Sequence, residues 1–235
     1  MKLSLIVPAY NEESRNITST LDEYYNFLKK KLGDDFEMGI IPNNCSDRTE
    51  SIVLNWVKLG RPNAWVHTIK GYSGKGGAVM RGFDIAKGDY IGFVDADNSI
   101  NVLEFWKLYQ KRENAEAIIA SRKAPGAKII PPRRWTQDLS SWMFNKTVKL
   151  LFGLKYYDTQ CGCKLFNQQT AKYLKYKCKE NGWAFDVELL WLIEQGAFSR
   201  IEQPIIWTDC EGSKLSFFDG IKSVLILFKL RWKRL

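Results

Sequence analysis

The sequence predicts an α/β fold, with a mostly parallel sheet and helices on both faces. Through the first half of the chain, strand-like apolar runs alternate with helical patterns, and this order gives parallel strands joined by helices. The run YIGFVDADNS, residues 90–99, stops abruptly at two carboxylates, Asp95 and Asp97, where a strand of such a sheet would meet a ligand. At 235 residues and 45% apolar composition, the chain can form one large domain with a sizeable core.

Five strands are predicted in the first half, in the segments LSLIVPAY, FEMGIIPNN, AWVHTIK, YIGFVDAD and AEAIIASR. The first intervening helix shows Ile17 and Leu21 at helical spacing, and the second, DRTESIVLNWVKLG, has Asp47 placed to cap it. A glycine-rich segment, GYSGKGGAVMRG, opens a short helix to Lys87, and VLEFWKLYQKR forms the fourth helix. The β-α-β order therefore continues to about residue 121.

The second half is less regular. The segment KAPGAKIIPPRRW contains three prolines and several basic residues, and it predicts a long, cationic, mobile loop. Helices are expected at about 138–152, 168–177 and 184–195, with a strand near RIEQPIIWTD and a final helix from about Phe217. We divide the chain into a main domain over 1–215 and a C-terminal amphipathic helix over 216–235.

The net charge of +9 favours an anionic partner: nucleic acid, a phosphorylated small molecule or an acidic membrane surface. Nucleic acid ranks low because the cations are split between one loop and the C-terminus and form no continuous stripe.

Five cysteines without a C-x-x-C pair predict neither a zinc site nor a disulfide framework, and they suit a reducing cytosol. No uncharged apolar stretch approaches the ~20 residues that a spanning helix needs, so we expect no membrane crossing.

Two short segments carry candidate chemistry. Two aspartates separated by one small residue suit Mg²⁺ or Mn²⁺ held against a diphosphate, although Asp97 or Ser99 could instead cap the helix starting near Asn101. In SGKGG, residues 73–77, glycines allow close backbone approach and Lys75 supplies a charge for a phosphate, although the segment could be only a tight turn. No Ser or Thr follows Lys75, which argues against a Walker-type ATPase or kinase.

Six segments occur along the chain in an order that is typical of a known family: LSLIVPAYNEE, SGKGGAVMRG, VDADNS, DTQCGCKLF, WAFDVELL and WTDCEGSKL. Together they resemble the family 2 glycosyltransferases of the GT-A fold, and most of all the group of dolichyl-phosphate β-glucosyltransferases, with dolichol-phosphate mannose synthases as the sister group. The likeness runs from Leu3 to about Arg231, and the last three segments favour the glucosyl branch.

The resemblance implies inverting transfer of a hexose from a nucleotide sugar, UDP-glucose first, to dolichyl or polyprenyl phosphate. GDP-mannose as donor, or a lipid-linked glycan hydroxyl as acceptor, remain alternatives. Where many relatives read DDGSxD this chain reads PNNCSD, which leaves UDP versus GDP open. The implied metal ligands are Asp97 and, in support, Asp95. The implied nucleotide pocket consists of Pro8, Ala9, Tyr10, Glu12, Asn43, Lys75, Asp95, Ala96 and Asp97.

Other residues receive roles from the same resemblance. Lys75 and Lys214 would neutralise the leaving diphosphate, and Asp158 and Gln160 would line the sugar pocket. Asp186 would lie beside the sugar or acceptor; its alternative is a helix N-cap, with Glu188 in an exposed turn. Cys161 and Cys163 are interpreted as small core residues, and Lys123 and Lys128 as solvated cations. The acceptor phosphate would be held by Arg122, Arg133, Arg134 and Ser213.

The C-terminal helix has more apolar surface than one core contact would bury. One stripe contains Ile221, Val224, Leu225, Phe228, Trp232 and Leu235, flanked by basic residues. Ile226, Leu227 and Leu230 lie outside that stripe, and we expect them to touch lipid while the stripe packs on the domain. The expected location is the cytoplasmic face of a membrane, as a peripheral protein. The alternatives are a buried terminal helix or a dimer contact.

Overall fold

The computed structural model describes residues 1–71, 73–132, 135–182, 184–209 and 226–232, with the backbone alone for 135–140. Its strands are β1 (Leu3–Ala9), β2 (Phe36–Pro42), β3 (Ala64–Val66), β4 (Tyr90–Val94), β5 (Ala117–Ser121), β6 (Lys128–Ile130), β7 (Cys163–Asn167), β8 (Arg200–Pro204) and β9 (Ile206–Thr208). Its helices are α1 (Ile17–Leu32), α2 (Thr49–Lys58), α3 (Gly74–Ile85), α4 (Val102–Gln110), α5 (Trp135–Phe152), α6 (Gln168–Lys177), α7 (Phe185–Gln195) and α8 (226–232), with a 3₁₀ turn at Glu13–Arg15.

Seven strands form the main sheet in the order β3-β2-β1-β4-β7-β5-β8. All neighbouring pairs are parallel except those of β7, which runs antiparallel to both β4 and β5. The predicted α/β architecture with a mostly parallel sheet is confirmed. Strand β7, which joins the two parallel parts of the sheet, was not predicted from the sequence.

Helices cover both faces of the sheet, and each face has its own apolar core. On one side, α1, α2 and α4 bury Tyr24, Trp56 and Phe105 against the sheet. On the other side, α3 and α5–α8 pack side chains that include Val148 and Leu189. The parallel strands therefore have few polar residues inside, and their carboxyl ends are left at one edge for polar chemistry.

Two local expectations are corrected. Asn101, and neither Asp97 nor Ser99, is the N-cap of α4: its side-chain oxygen accepts from the backbone N–H of Leu103 and Glu104. The proline-rich segment is also more regular than a loop, because β6 lies within it and pairs in parallel with β9. In the part of the chain that is described, this segment is anchored by backbone hydrogen bonds.

Within residues 226–232, the orientation of α8 is opposite to the one that the sequence predicts; the stripe residues Ile221, Val224, Leu225 and Leu235 lie outside the described residues. Leu227 is fully buried and Leu230 is 8% exposed, whereas Phe228 and Trp232 lie on the outside. The leucines pack into the core formed by α5 and α7, and Arg231 Nε donates to the carbonyl of Leu151 at 3.1 Å. A helix that is apolar on two sides can dock by either, and the receiving surface here accepts the leucine side. The described helices include none both long and apolar enough to cross a membrane.

Candidate active site

The carboxyl ends of β1, β2 and β4 meet the N-terminus of α3 at one edge of the sheet. Asn43, just after β2, donates from its backbone N–H to the carbonyl of Ala9 at 2.9 Å. Its side-chain amide donates to the carbonyl of Gly74 at 2.7 Å. The structure thus brings together the predicted pocket residues from β1 and β2 and the SGKGG segment, which are distant in the sequence.

A chain of alternating charges lies beneath this edge. Lys75 Nζ is 2.6 Å from Asp95 Oδ1 and 3.9 Å from Asp186 Oδ2. The other oxygen of Asp186 pairs with Lys164, a fully buried side chain on β7 that also donates to the carbonyl of Cys161 at 2.8 Å. Lys75 therefore interacts with two carboxylates, and the second of these, Asp186, is also fixed by its ion pair with Lys164.

Charge and burial oppose each other at this cluster. Burial lowers the pKa of Lys75, but the carboxylates of Asp95 and Asp186 outweigh it and raise the pKa above its ordinary value. At Asp95 burial dominates and raises the pKa, although the Lys75 ammonium opposes the shift. Lys75 is therefore cationic at neutral pH and can bind an anionic ligand.

Glycines permit the close approach of these groups. A Cβ at Gly162 would lie 1.8 Å from a carboxylate oxygen of Asp95, whose backbone N–H donates to the Gly162 carbonyl at 3.0 Å. Gly74 has a φ of +58°, and a Cβ there would meet the carbonyl oxygen of Asn181 at 2.2 Å. Larger residues at either position would displace the backbone around the cluster.

Asp97 is partly buried and lies three residues after the end of β4. One carboxylate oxygen accepts from the backbone N–H of Ser99 at 3.0 Å, and among the described residues the other oxygen has no hydrogen-bond or ion-pair partner. No group of three or more His, Cys, Asp or Glu side chains that could hold a metal occurs among the described residues. The donors fit a hard divalent cation that takes one or two protein carboxylates and completes its shell with phosphate and water.

A second ion pair lies at the end of β5. Arg122 binds Asp158 through Nε at 2.7 Å and Nη2 at 2.9 Å, and its backbone N–H donates to the same carboxylate at 3.1 Å. Burial would raise the pKa of Asp158, but the Arg122 guanidinium outweighs it and holds that pKa well below its usual range. Arg122 and Asp158, predicted to touch acceptor and sugar respectively, therefore form one rigid unit.

The other predicted site residues have diverse surroundings. Tyr10 is half-exposed, Ala96 is buried, and Glu12 is buried with its backbone N–H donating to Thr49 Oγ1 at 2.8 Å. Pro8 lies near the end of β1, and Gln160 donates from its backbone N–H to Asp158 at 3.1 Å.

Cys161 and Cys163 are fully buried, which confirms them as core residues. The roles predicted for Arg133, Arg134, Ser213 and Lys214 fall outside the described residues.

Two alternatives at WAFDVELL are corrected. Asp186 lies in the first turn of α7, where Ala184 is the N-cap, and its side chain is committed to the lysines. Glu188 is buried rather than exposed, and one carboxylate oxygen accepts from the backbone N–H of Lys179 at 2.9 Å and Glu180 at 2.6 Å. Glu188 thus fixes the segment against which the SGKGG segment packs.

Sequence reasoning missed Lys164. Its signal was available, because a lysine stands alone among buried residues in CGCKLFN and such a cation requires a partner. The partner, Asp186, is on a different element and could not be identified by spacing.

Comparison with known proteins identifies the family. The model of glycosyl transferase family 2 matches residues 4–174. The dolichyl-phosphate beta-glucosyltransferase of Drosophila melanogaster is 35% identical over 231 residues, covering 93% of this chain and 70% of the relative. That of Dictyostelium discoideum is 31% identical over 245 residues, covering 99% of this chain and 75% of the relative.

Solved structures agree on the fold. Glucosyl-3-phosphoglycerate synthase from Mycobacterium tuberculosis, crystallised with Mn²⁺, UDP and phosphoglyceric acid, superposes with a TM-score of 0.71 at 17% identity. The match covers 98% of this chain and 78% of that one. S. aureus TarS in complex with UDP-GlcNAc superposes with a TM-score of 0.58 at 19% identity, covering 97% of this chain and 66% of that one.

Proposed function

The chain belongs to glycosyl transferase family 2, and we propose that this glycosyltransferase moves glucose from UDP-glucose to dolichyl phosphate or a related isoprenoid phosphate. The observation that carries the proposal is the strand end that bears Asp95 and Asp97, where Asp95 pairs with Lys75, in a chain 35% identical to a dolichyl-phosphate beta-glucosyltransferase over 93% of its length. Carboxylates that can bind a metal and a lysine that can face phosphate suit the diphosphate of a nucleotide-sugar donor.

A divalent cation, Mg²⁺ or Mn²⁺, would be held by Asp97 with Asp95 in support. When bound, it would supply positive charge next to the leaving diphosphate. The Mn²⁺ and UDP of the similar synthase support this assignment. Lys75 would add a second positive charge, and its two carboxylate partners fix the position of its ammonium group.

The base of the donor would lie near Asn43. Because the amide nitrogen of Asn43 donates to the Gly74 carbonyl, its oxygen is oriented as an acceptor, and this buried oxygen has no donor among the described residues. Uracil presents a single ring N–H to such an acceptor, whereas guanine presents a ring N–H together with an amino group. One fixed acceptor therefore supports UDP over GDP.

An acceptor phosphate needs no general base, since the second pKa of a phosphomonoester is about 6 and the nucleophilic oxygen is already anionic. That oxygen bonds to the anomeric carbon while the bond from this carbon to the diphosphate breaks, and the electron pair leaves with the nucleoside diphosphate. Asp186, engaged by Lys164 and Lys75, is poorly placed to take a proton from a hydroxyl. This favours a phosphate acceptor over a glycan hydroxyl. A membrane-lipid acceptor would place the enzyme at a membrane surface, and we propose the cytoplasmic face, with the chain as a peripheral protein.

Transfer assays with purified enzyme test the proposal. Radiolabelled UDP-glucose and GDP-mannose are supplied in parallel with dolichyl phosphate, and we expect label in the lipid phase from UDP-glucose. Transfer from GDP-mannose alone would overturn the donor. Transfer to a lipid-linked glycan, with none to dolichyl phosphate, would overturn the acceptor.

A further inference from the structure

The outward face of α5 carries large apolar residues among lysines. Trp142, Lys146, Lys149 and Leu150 follow helical spacing and therefore share one face. Trp142 is 56% exposed and Leu150 is 86% exposed. Lys146 Nζ lies 4.8 Å from the centre of the Trp142 ring. Nothing within the described chain covers this face.

Helix α8 extends the same composition. With Leu227 and Leu230 buried, its outer side presents Phe228, Lys229 and Trp232, and the two aromatic rings stack with centroids 5.7 Å apart. The bond from Arg231 to the carbonyl of Leu151 ties this helix to the end of α5, one residue beyond Leu150. The two outer faces thus meet at the carboxyl end of α5.

The surroundings are cationic. The sequence contains no Asp or Glu from residue 139 to 157 or from 220 to 235. A recess of about 440 Å³ after α5 is lined by residues that include Lys149, Lys155 and Tyr157, and its two lysines suit a phosphate headgroup. Aromatic rings interspersed with cations match the interface of an anionic bilayer. A second copy of the same face is disfavoured because the two sets of lysines would repel.

The inner side of α5 is tied to the active site. Thr159 Oγ1 donates to Asn145 Oδ1 at 2.7 Å, next to Asp158, which holds Arg122. Lys123, adjacent to Arg122, donates to Ser141 Oγ at 2.6 Å. A surface bound to the outer side of α5 would therefore lie close to the Arg122–Asp158 pair, because these hydrogen bonds join the inner side of α5 to that pair.

We propose that the outer faces of α5 and α8 form a docking surface for an anionic lipid bilayer, which turns the Arg122 side of the active site toward the membrane. This inference rests on the proposed function, and it names the surface through which the lipid acceptor is approached. The predicted lipid contacts Ile226, Leu227 and Leu230 are replaced by Phe228, Trp232 and the outer residues of α5.

Vesicle cosedimentation without substrate tests the surface. The full chain is mixed with phosphatidylcholine vesicles, with and without phosphatidylserine, and we expect salt-sensitive binding to the anionic vesicles. A triple variant, Trp142→Ser, Leu150→Ser and Trp232→Ser, should bind at least about tenfold more weakly, because three apolar side chains leave the interface. Lys146→Gln with Lys149→Gln should weaken binding by about fivefold for each lysine.

The matched control is Leu59→Ser with Tyr176→Ser, since these side chains are 76% and 74% exposed and Tyr176 also lies beside lysines. The control should bind like wild type, and circular dichroism should be unchanged in all variants. Wild-type binding by the triple variant, or a loss of self-association without a change in vesicle binding, would overturn the proposal. Transfer to a short water-soluble phosphate should survive in the triple variant. If the wild type binds vesicles through this surface but transfers no sugar, the proposed function fails and the docking surface stands.

Discussion

The buried pair of Lys164 and Asp186 allows a quantitative prediction. Lys164 is fully buried and the Asp186 side chain is 4% exposed, so removing either partner leaves an uncompensated charge inside the protein. Asp186→Asn should lower the free energy of unfolding by about 3–5 kcal/mol, because the Lys164 ammonium loses its carboxylate and keeps only neutral acceptors such as the Cys161 carbonyl. Lys164→Met should fall at the lower end, about 3 kcal/mol, because Lys75 remains 3.9 Å from Asp186.

The double variant is the decisive case. With both charges removed, no unpaired charge is left inside the protein. The losses in free energy of unfolding of the two single variants should therefore sum to about 2–3 kcal/mol more than the loss in the double variant. Urea unfolding followed by circular dichroism measures the three values, provided that the slope with urea stays constant. The control cycle uses the exposed pair of Lys175 and Asp84, where the coupling should stay below about 1 kcal/mol. Additive costs at Lys164 and Asp186 would refute the reasoning.

Three further outcomes are expected. Asp97→Ala should abolish transfer with an unchanged unfolding midpoint, and EDTA should inhibit the wild type; wild-type rates in either experiment would remove the metal assignment. Lys75→Ala should lower turnover by about 10²–10³, as for loss of one group at a developing charge, whereas Lys128→Ala, which removes an exposed cation, should change it little; equal effects would indicate a general positive surface. Burial raises the pKa of the Cys161 thiol from 9.0 to about 12, so the protonated thiol stabilises the native state below pH 9 and this contribution is lost as the pH rises toward 12. Alkaline unfolding of Cys161→Ala should therefore be less steep with pH than that of the wild type, and identical slopes would contradict this.

The parts of the fold that sequence predicts are those with a strong local pattern. Parallel strands buried on both faces give continuous apolar runs, and the polar residues after each run mark the edge where ligands bind. For this reason Asp95 and Asp97 could be placed at the ligand-binding edge from the pattern, whereas Lys75 was joined to them only by the family resemblance.

The missed parts depend on distant partners. Strand β7 has a lysine as its second residue, fully buried, and a charge is not expected there unless Asp186 is known to reach it. Strand β6 forms in a proline-rich segment because β9, far along the chain, pairs with it. The side on which α8 docks depends on the surface that receives it, and a helix with apolar residues on both sides does not encode that choice.

The antiparallel insertion of β7 has a consequence for synthesis of the chain. β4 ends at Val94, but the strand that completes its second edge begins only at Cys163. At translation rates of about 5–20 residues per second, this edge of β4 stays unpaired for several seconds while the chain up to β7 is synthesised. An apolar strand with open hydrogen-bonding groups is a template for wrong pairing. Proper maturation of this protein should therefore depend on whatever shields the YIGFV edge of the nascent chain, and slower translation before residue 163 should lower its soluble yield.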